Sequence, residues 1–401
     1  MIPFADLRHG DCREIIATLD DNSIDAIATD PPYELGFMGK KWDNTGIAYD
    51  VQLWTECLRV LKHGGHLLAF GGTRTYHRMT CAIEDAGFEI RDSIHWLYGS
   101  GFPKSHDVSK SIDKTNGETD RLHKFTAWMR TTGLTARQIN NITESNMGGH
   151  YLTAKSQPAI PTAALWAVIR PHCNNVPEWV DELVQRIAAE REVIGTNPNI
   201  ERAARSLSGV IGFGAGSLNA DITAPATDAA REWEGWGTAL KPAHEPIVVA
   251  RKPLIGTVAA NVLQHGTGAL NIDGARVGER WPANVIVDET VADTVEWSRY
   301  FYCPKASRTE RNAGIETSNT HPTVKPLELM RYLVRLVTPP GGTVLEPFAG
   351  SGTTLAAAII EGFNAIGCEL IADYLPIIEG RIAWAQQQYV EAHDNLFGDN
   401  A

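Results

Sequence analysis

The sequence predicts an α/β fold, a sheet assembled from both ends of the chain with helices on both faces, and three observations carry that prediction. Short apolar runs alternate with stretches of helical spacing over residues 1–98. The same alternation returns over residues 321–390. Residues 99–320, between them, follow a different pattern and read as an insert.

At the N-terminal end, residues 24–29 form a short apolar strand. Residues 53–61 have helical spacing and run into Lys62-His63-Gly64-Gly65, which reads as a basic last turn with a glycine stop. Residues 67–70 are the next strand. At the C-terminal end a helix is expected over residues 326–337, then a Pro339-Pro340-Gly341-Gly342 break and a strand over 343–346. A glycine-rich turn, a helix over 353–361 and a strand over 364–368 follow, with 391–401 as a tail. Within the insert, residues 121–195 are helical in pattern, for example 179–194, with Pro177 near its start and Gly195 as its stop. Residues 196–240, rich in Gly, Ala, Ser and Thr, read as a loop or linker, and the alternating glycines of 209–216 as a flexible loop. Short β-like runs such as Ile247-Val248-Val249-Ala250 then return.

Composition narrows the function classes. The chain has 401 residues, 43% of them hydrophobic, enough for one large core or a core domain with smaller ones. Its longest purely apolar run, residues 355–360, is far short of the ~20 residues a membrane span needs. The N-terminus has no basic region followed by an apolar one, so no membrane association and a cytoplasmic address are expected. The 6 cysteines form no Cys-x-x-Cys pair and read as reduced thiols. The histidines lack metal-ligand spacing, so no metal site is expected. A formal charge of -12 counts against non-specific phosphate binding, although a basic cleft on an acidic protein still holds nucleic acid.

The strongest chemical signal is Asp30-Pro31-Pro32-Tyr33, directly after the strand at 24–29. Ligands of open α/β sheets bind beyond the carboxyl ends of strands. Two prolines fix the backbone and leave no N–H, so their carbonyls serve as rigid acceptors. Asp30 and a carbonyl can grip one amino group, and Tyr33 offers a stacking face for a planar base. An Asp-Pro-Pro turn can also simply end a strand.

The second signal is Glu346-Pro347-Phe348-Ala349-Gly350-Ser351-Gly352-Thr353-Thr354, between a strand and a helix. Glycines let a backbone approach a ligand closely, and the helix N-terminus presents free N–H groups. No Lys-Ser or Lys-Thr follows the glycines, which excludes a Walker phosphate loop, and the spacing is not Gly-x-Gly-x-x-Gly. About twenty residues on, Glu369 ends the next strand where α/β cofactor folds bind ribose hydroxyls.

Together these residues resemble the amino-group (N6-adenine or N4-cytosine) DNA methyltransferases, in the permuted order that puts the catalytic motif before the cofactor motif. The resemblance extends to Gly10-Asp11-Cys12, Gly101-Phe102-Pro103-Lys104, Lys241-Pro242-Ala243-His244-Glu245-Pro246, Lys305-Ala306-Ser307-Arg308 and His321-Pro322-Thr323-Val324-Lys325-Pro326, as in phage and bacterial modification methylases. It implies a Rossmann-like methyltransferase sheet with S-adenosylmethionine as cofactor and double-stranded DNA as partner. It implies that Asp30 and the Pro31 carbonyl accept bonds from the target amino group, beside Pro32, while Tyr33 stacks on an extruded base. Glu369 would hold the ribose and Asp11 the adenine of the cofactor. Glu346, Phe348, Gly350, Ser351 and Gly352 would shape its pocket, with Thr323 and Lys325 near its methionine end.

Such chemistry needs no covalent intermediate, unlike methylation at a cytosine ring carbon, and Cys303-Pro304 reverses the Pro-Cys order of that family. Asp at the head of the motif points to adenine N6, with cytosine N4 as the alternative. RNA or protein glutamine methylation, where the motif more often starts with Asn, and a DNA-binding protein with an inactive methylase core are further alternatives. The insert is the candidate target-recognition region. In residues 135–142 Arg137, Gln138 and Asn140 suit major-groove base edges, and with 125–129 and 161–169 this resembles a helix-turn-helix. A helical packing module with a solvated polar face fits the same pattern. The family resemblance leaves room for a homodimer and for a cognate restriction endonuclease.

Overall fold

The computed structural model describes residues 2–36, 41–99, 105–115, 118–153, 158–190, 193–196, 221–223, 228–288, 301–316 and 318–398. Gly101-Phe102-Pro103-Lys104 lies outside the described residues, and so does the glycine-rich stretch 209–216. The strands are β1 Ala5–His9, β2 Ile24–Thr29, β3 Leu61–Phe70, β4 Glu89–Leu97, β5 Val193–Thr196, β6 Asp221–Thr223, β7 His244–Arg251, β8 Val285–Val287, β9 Phe301–Tyr302, β10 Thr343–Glu346 and β11 Asn364–Glu369.

Among the described residues nine strands form one sheet in the order β1-β11-β10-β2-β3-β7-β4-β8-β9. Neighbours pair in parallel except at β7, which runs antiparallel to both β3 and β4. β10 and β11, from the C-terminal end, sit between β1 and β2, so both ends of the chain build the sheet.

Alternation along the central strands sends side chains to opposite faces. Ala26, Ala28, Leu68 and Phe70 pack with Leu329, Leu333, Leu355, Ile359 and Ile378 on one face. Ile27, Leu67 and Ala69 pack with Ile16, Leu53, Trp54, Cys57, Met79 and Ile83 on the other. Helices Leu327–Val337, Thr353–Ile360 and Leu375–Gly398 cover the first face, and Cys12–Ala17, Val51–Val60 and Tyr76–Asp85 the second. This is the α/β arrangement expected.

Several boundaries differ from the sequence reading. Lys62-His63-Gly64-Gly65 does not end a helix; helix Val51–Val60 passes directly into β3 at Leu61. Gly64 has φ +80°, and a Cβ there would lie 2.4 Å from Asn261 Nδ2. Its glycine serves a close approach within the strand, a need that looks locally like a helix stop. Residues 242–401 form one compact unit with 1–102, and 103–241 form a second. The insert therefore closes near residue 241 rather than 320, because β7 takes a place inside the sheet. Residues 391–398 continue helix Leu375–Gly398 instead of leaving it as a tail. The helix expected over 179–194 ends at Glu190, and Ile194 lies in β5.

The second unit has its own core of Phe125, Met129, Ile139, Tyr151, Trp166, Ile169, Val180 and Val184. Trp128, Trp166 and Trp179 pack edge to face there, the pairing that the aromatic quadrupole favours. No helix among the described residues is long and apolar enough to cross a membrane.

Candidate active site

Parallel strands β2, β10, β11 and β1 end at one edge of the sheet, and the motif residues follow them there. Antiparallel β7 brings its first residues to the same edge, since Phe70 pairs with Ile247 and the Gly71 N–H donates to the Pro246 carbonyl over 2.9 Å. Asp30 and Glu245, 215 positions apart in the numbering, thus come to share one lysine, Lys325.

Asp30 Oδ2 accepts from Lys325 Nζ at 2.5 Å, while Asp30 Oδ1 is buried with no hydrogen-bond partner among the described residues. Lys325 Nζ also lies 3.5 Å from Glu245 Oε2 and 5.3 Å from the centre of the Tyr33 ring. The Tyr33 hydroxyl donates to Glu245 Oε2 at 2.9 Å, and its carbonyl accepts from Thr75 Oγ1 at 2.8 Å. Burial pushes the Asp30 carboxyl above its ordinary value, opposed by the Lys325 ammonium. Burial also works against the Lys325 charge, but Asp30 and Glu245 outweigh it and raise the ammonium above its ordinary value. Burial, with the charges of Asp30 and Glu245, raises the Tyr33 phenol, which therefore stays a donor.

Lys325, which the family resemblance sets near a cofactor's methionine end, pairs its ammonium with Asp30. Thr323 is exposed, and its carbonyl faces His321 Nδ1 at 3.0 Å.

Glycine turn and strand end come together as expected. Gly350 and Gly352 have φ +54° and +74°, the left-handed region that favours glycine. The Gly350 N–H donates to Glu369 Oε2 at 2.7 Å, and the Ile371 N–H to Glu369 Oε1 at 2.7 Å. Each carboxylate oxygen has two lone pairs, so Glu369 keeps acceptor capacity beyond these two bonds. Asp11, at the neighbouring strand end, caps helix Cys12–Ala17 and takes Arg13 Nη2 at 2.6 Å. That hydrogen bond, above all, holds its carboxyl below the usual value.

Two of the pocket candidates, Glu346 and Ser351, are buried. Glu346 is 2% exposed; its oxygens accept from Thr29 Oγ1 at 2.5 Å, Phe348 N at 3.0 Å and Thr354 Oγ1 at 2.6 Å. It clamps the turn from inside, and burial pushes its carboxyl up to about 8. Ser351 is buried against Thr353 Oγ1 and fully buried Arg381, whose Nη1 donates to the Ser351 carbonyl at 3.3 Å. Phe348 is partly buried and packs against the core that contains Cys12 and Ile16.

In the second unit helix Ala136–Thr143 opens with a capping box between Thr135 and Gln138. Gln138 Oε1 accepts from Thr135 N at 2.9 Å, and Asn140 Oδ1 from Gly148 N at 2.7 Å. Gln138 and Asn140 therefore hold their own unit together through those atoms, while Arg137 is exposed and makes no such bond among the described residues.

Sequence reasoning missed Glu245, Tyr98, His321 and Arg381. Glu245 and His321 lay inside segments already singled out, but nothing local gave them a task. Cys303 is buried and its thiol is pushed up to about 12 by burial, which removes it as a nucleophile.

Residues 24–181 and 213–380 match the family model N6_N4_Mtase, described as DNA methylase. Over 141 residues the chain is 35% identical to Type II methyltransferase M.HindIII of Haemophilus influenzae, covering 34% of this chain and 40% of that protein. It is 31% identical over 140 residues to Type II methyltransferase M.HpaI of Haemophilus parainfluenzae, covering 33% and 45%. A stretch of 55 residues is 46% identical to DNA adenine methyltransferase YhdJ of Escherichia coli, covering 14% and 19%. The matched stretches thus span less than half the length of each of these relatives. Among solved structures, the complex of M1.HpyAVI with SAM aligns with TM-score 0.43 at 15% identity over 94% of this chain and 99% of that one. PvuII DNA methyltransferase (cytosine-N4-specific) aligns with TM-score 0.47 at 12% identity over 98% and 95%.

Proposed function

The chain belongs to the N6_N4_Mtase family of DNA methylases, and on that premise we propose that it methylates the exocyclic N6 amino group of an adenine extruded from double-stranded DNA. One observation carries the reading: a buried, unpaired carboxylate oxygen, Asp30 Oδ1, beside an aromatic face at the ligand-binding edge of the sheet. An unpaired buried acceptor is costly unless a ligand donor meets it.

An aromatic amino nitrogen is a poor nucleophile because its lone pair is delocalised into the ring. Asp30 Oδ1 and the Pro31 carbonyl accept its two N–H bonds and draw electron density onto it. For this Asp30 must be ionised; the Lys325 ion pair favours that form, while burial opposes it. Tyr33 stacks on the extruded base. S-adenosylmethionine supplies the electrophilic methyl group when bound. The residues present fit it: Glu369 retains free lone pairs for ribose hydroxyls, and Gly350 and Gly352 give the adjoining turn the left-handed backbone it needs. Asp11 and Phe348 flank the same strand ends.

Asp at the head of the motif supports adenine, as does the similarity to a protein named DNA adenine methyltransferase. The unit of residues 103–241 is the candidate reader of target sequence, because an extruded base identifies only one position of a site. Single-molecule sequencing of DNA from cells producing the protein tests the reading. N6-methyladenine at a defined motif is expected; N4-methylcytosine alone would transfer the activity to cytosine, and unmodified DNA would overturn it.

A further inference from the structure

Tyr33 is held by more than its backbone. Its hydroxyl donates to Glu245 Oε2 at 2.9 Å, while the other oxygen, Oε1, accepts from the Tyr98 hydroxyl at 3.3 Å. Glu245 is the second residue of β7 and Tyr98 follows β4, so two adjacent strands converge on one carboxylate. Burial and the Glu245 charge keep the Tyr98 phenol protonated as well, so both phenols are donors. The Lys325 ammonium, 2.5 Å from Asp30, lies 3.5 Å from Glu245. A lysine between two carboxylates cannot swing away from Asp30 without losing the second, and a tyrosine tied at its hydroxyl cannot rotate its ring freely.

We propose that Glu245 is a positioning residue of the methyl-transfer site: it sets the tilt of the Tyr33 ring on which the extruded base stacks, and it holds Lys325 against Asp30. Glu245 touches neither base nor cofactor in this scheme and acts through Tyr33 and Lys325. The inference rests on the methyltransferase reading. The physical reason is geometric tolerance: a base whose amino group must reach Asp30 Oδ1 is placed by the plane it stacks on, and misplacement of about 1 Å costs about a hundredfold in rate.

The test uses the full chain with Glu245→Ala, Glu245→Gln, Tyr33→Phe and the double variant Tyr33→Phe/Glu245→Ala. Single-turnover methyl transfer to a plasmid carrying the modified motif and equilibrium binding of S-adenosylmethionine are measured for each. Glu245→Ala and Tyr33→Phe are each expected to slow transfer about tenfold or more, with cofactor affinity unchanged. The double variant should be no slower than the slower single one, because both changes break the same bond. Glu245→Gln should recover part of the rate, since its amide oxygen still accepts from Tyr33. Losses that multiply in the double variant, or a Glu245→Ala enzyme at wild-type rate, would overturn the inference alone. If Glu245→Ala does not fold, Tyr33→Phe decides: it keeps the ring and removes only the anchor, so wild-type transfer by it sinks the proposal. A wild-type chain that binds cofactor yet methylates no DNA sinks the functional reading first, and this inference with it.

Discussion

Lys325 and Asp30, 295 positions apart, form an ion pair of 2.5 Å in which one carboxylate oxygen is taken and the other is left free. Lys325 stands just before helix Leu327–Val337, and Asp30 just after β2. The pair gives the two residues unequal sensitivity to substitution. Lys325→Met strands Asp30 in a mostly buried position, and removing one partner of a buried pair costs about 3–5 kcal/mol. Asp30→Ala leaves Lys325 with Glu245 still 3.5 Å away. Urea unfolding should therefore find Lys325→Met the less stable of the two, while Asp30→Ala abolishes methyl transfer and retains cofactor binding by calorimetry. Retained turnover in Asp30→Ala would remove it from the chemistry.

Glu369→Ala is expected to weaken S-adenosylmethionine binding by about 1.5–3 kcal/mol, the range for a lost charged hydrogen bond. Because Glu369 also receives the N–H groups of Gly350 and Ile371, the melting temperature should fall in the cofactor-free protein too. Calorimetry with unchanged affinity would assign the ribose to another carboxylate.

The two turn glycines differ in what they face. A Cβ on Gly352 would lie 2.8 Å from Ile378 Cγ2 and 3.2 Å from its Cα; one on Gly350 would lie 3.0 Å from His321 Nε2. Left-handed backbone costs a side chain about 1–3 kcal/mol. Gly352→Ala should be destabilised more than Gly350→Ala, because it meets a helix backbone as well as a side chain. Gly350→Val, with its branched side chain, should also lower cofactor affinity. Thermal melts in the opposite order would refute this account of the turn.

Stability should depend on pH through two buried histidines. Burial lowers both His66 and His321 to about 4 from 6.5, so each is neutral in the fold and charged more readily when unfolded. The unfolded chain then binds more protons between these values, and stability present above pH 6.5 is lost as pH falls towards about 4. The loss is on the order of 3 kcal/mol per histidine, partly offset by Glu346, whose carboxyl, raised to about 8 from 4.5, holds a proton in the fold that the unfolded chain releases over the same range. Urea midpoints at pH 7 and pH 5 measure it, and His321→Asn should flatten the slope. An equally steep slope in that variant would point to other groups.

Gln138→Ala should cost stability rather than specificity, by about 0.5–2 kcal/mol, since it breaks a capping box. Arg137→Ala should change methylation across a randomised target library while leaving the melting temperature unchanged. If Arg137→Ala methylates every site at the wild-type rate, helix Ala136–Thr143 serves only packing.

Period and turn chemistry make much of the sheet legible in the sequence alone. β2 and β10 lie where apolar runs bounded by prolines and glycines put them, and the glycine turn at 350–352 stands between strand and helix as expected. These features depend on neighbours within a few residues, and local backbone preferences record them. Gly64 misled because a glycine required by Asn261 across the fold looks the same in sequence as a glycine ending a helix.

By itself, then, the sequence determined the fold class, the strand ends and the identity of Asp30, Tyr33, Gly350, Gly352 and Glu369 as candidates for chemistry. Only the tertiary structure decided that Lys325 pairs with Asp30, that Glu245 ties down Tyr33, and that Glu346 and Ser351 face inward. Strand order is the reason. β7 lodges antiparallel between β3 and β4, and β10 enters beside β2, so residues more than 200 positions apart share one edge of the sheet. No pattern along the chain encodes which distant strands become neighbours; that is settled by packing both faces of the sheet at once.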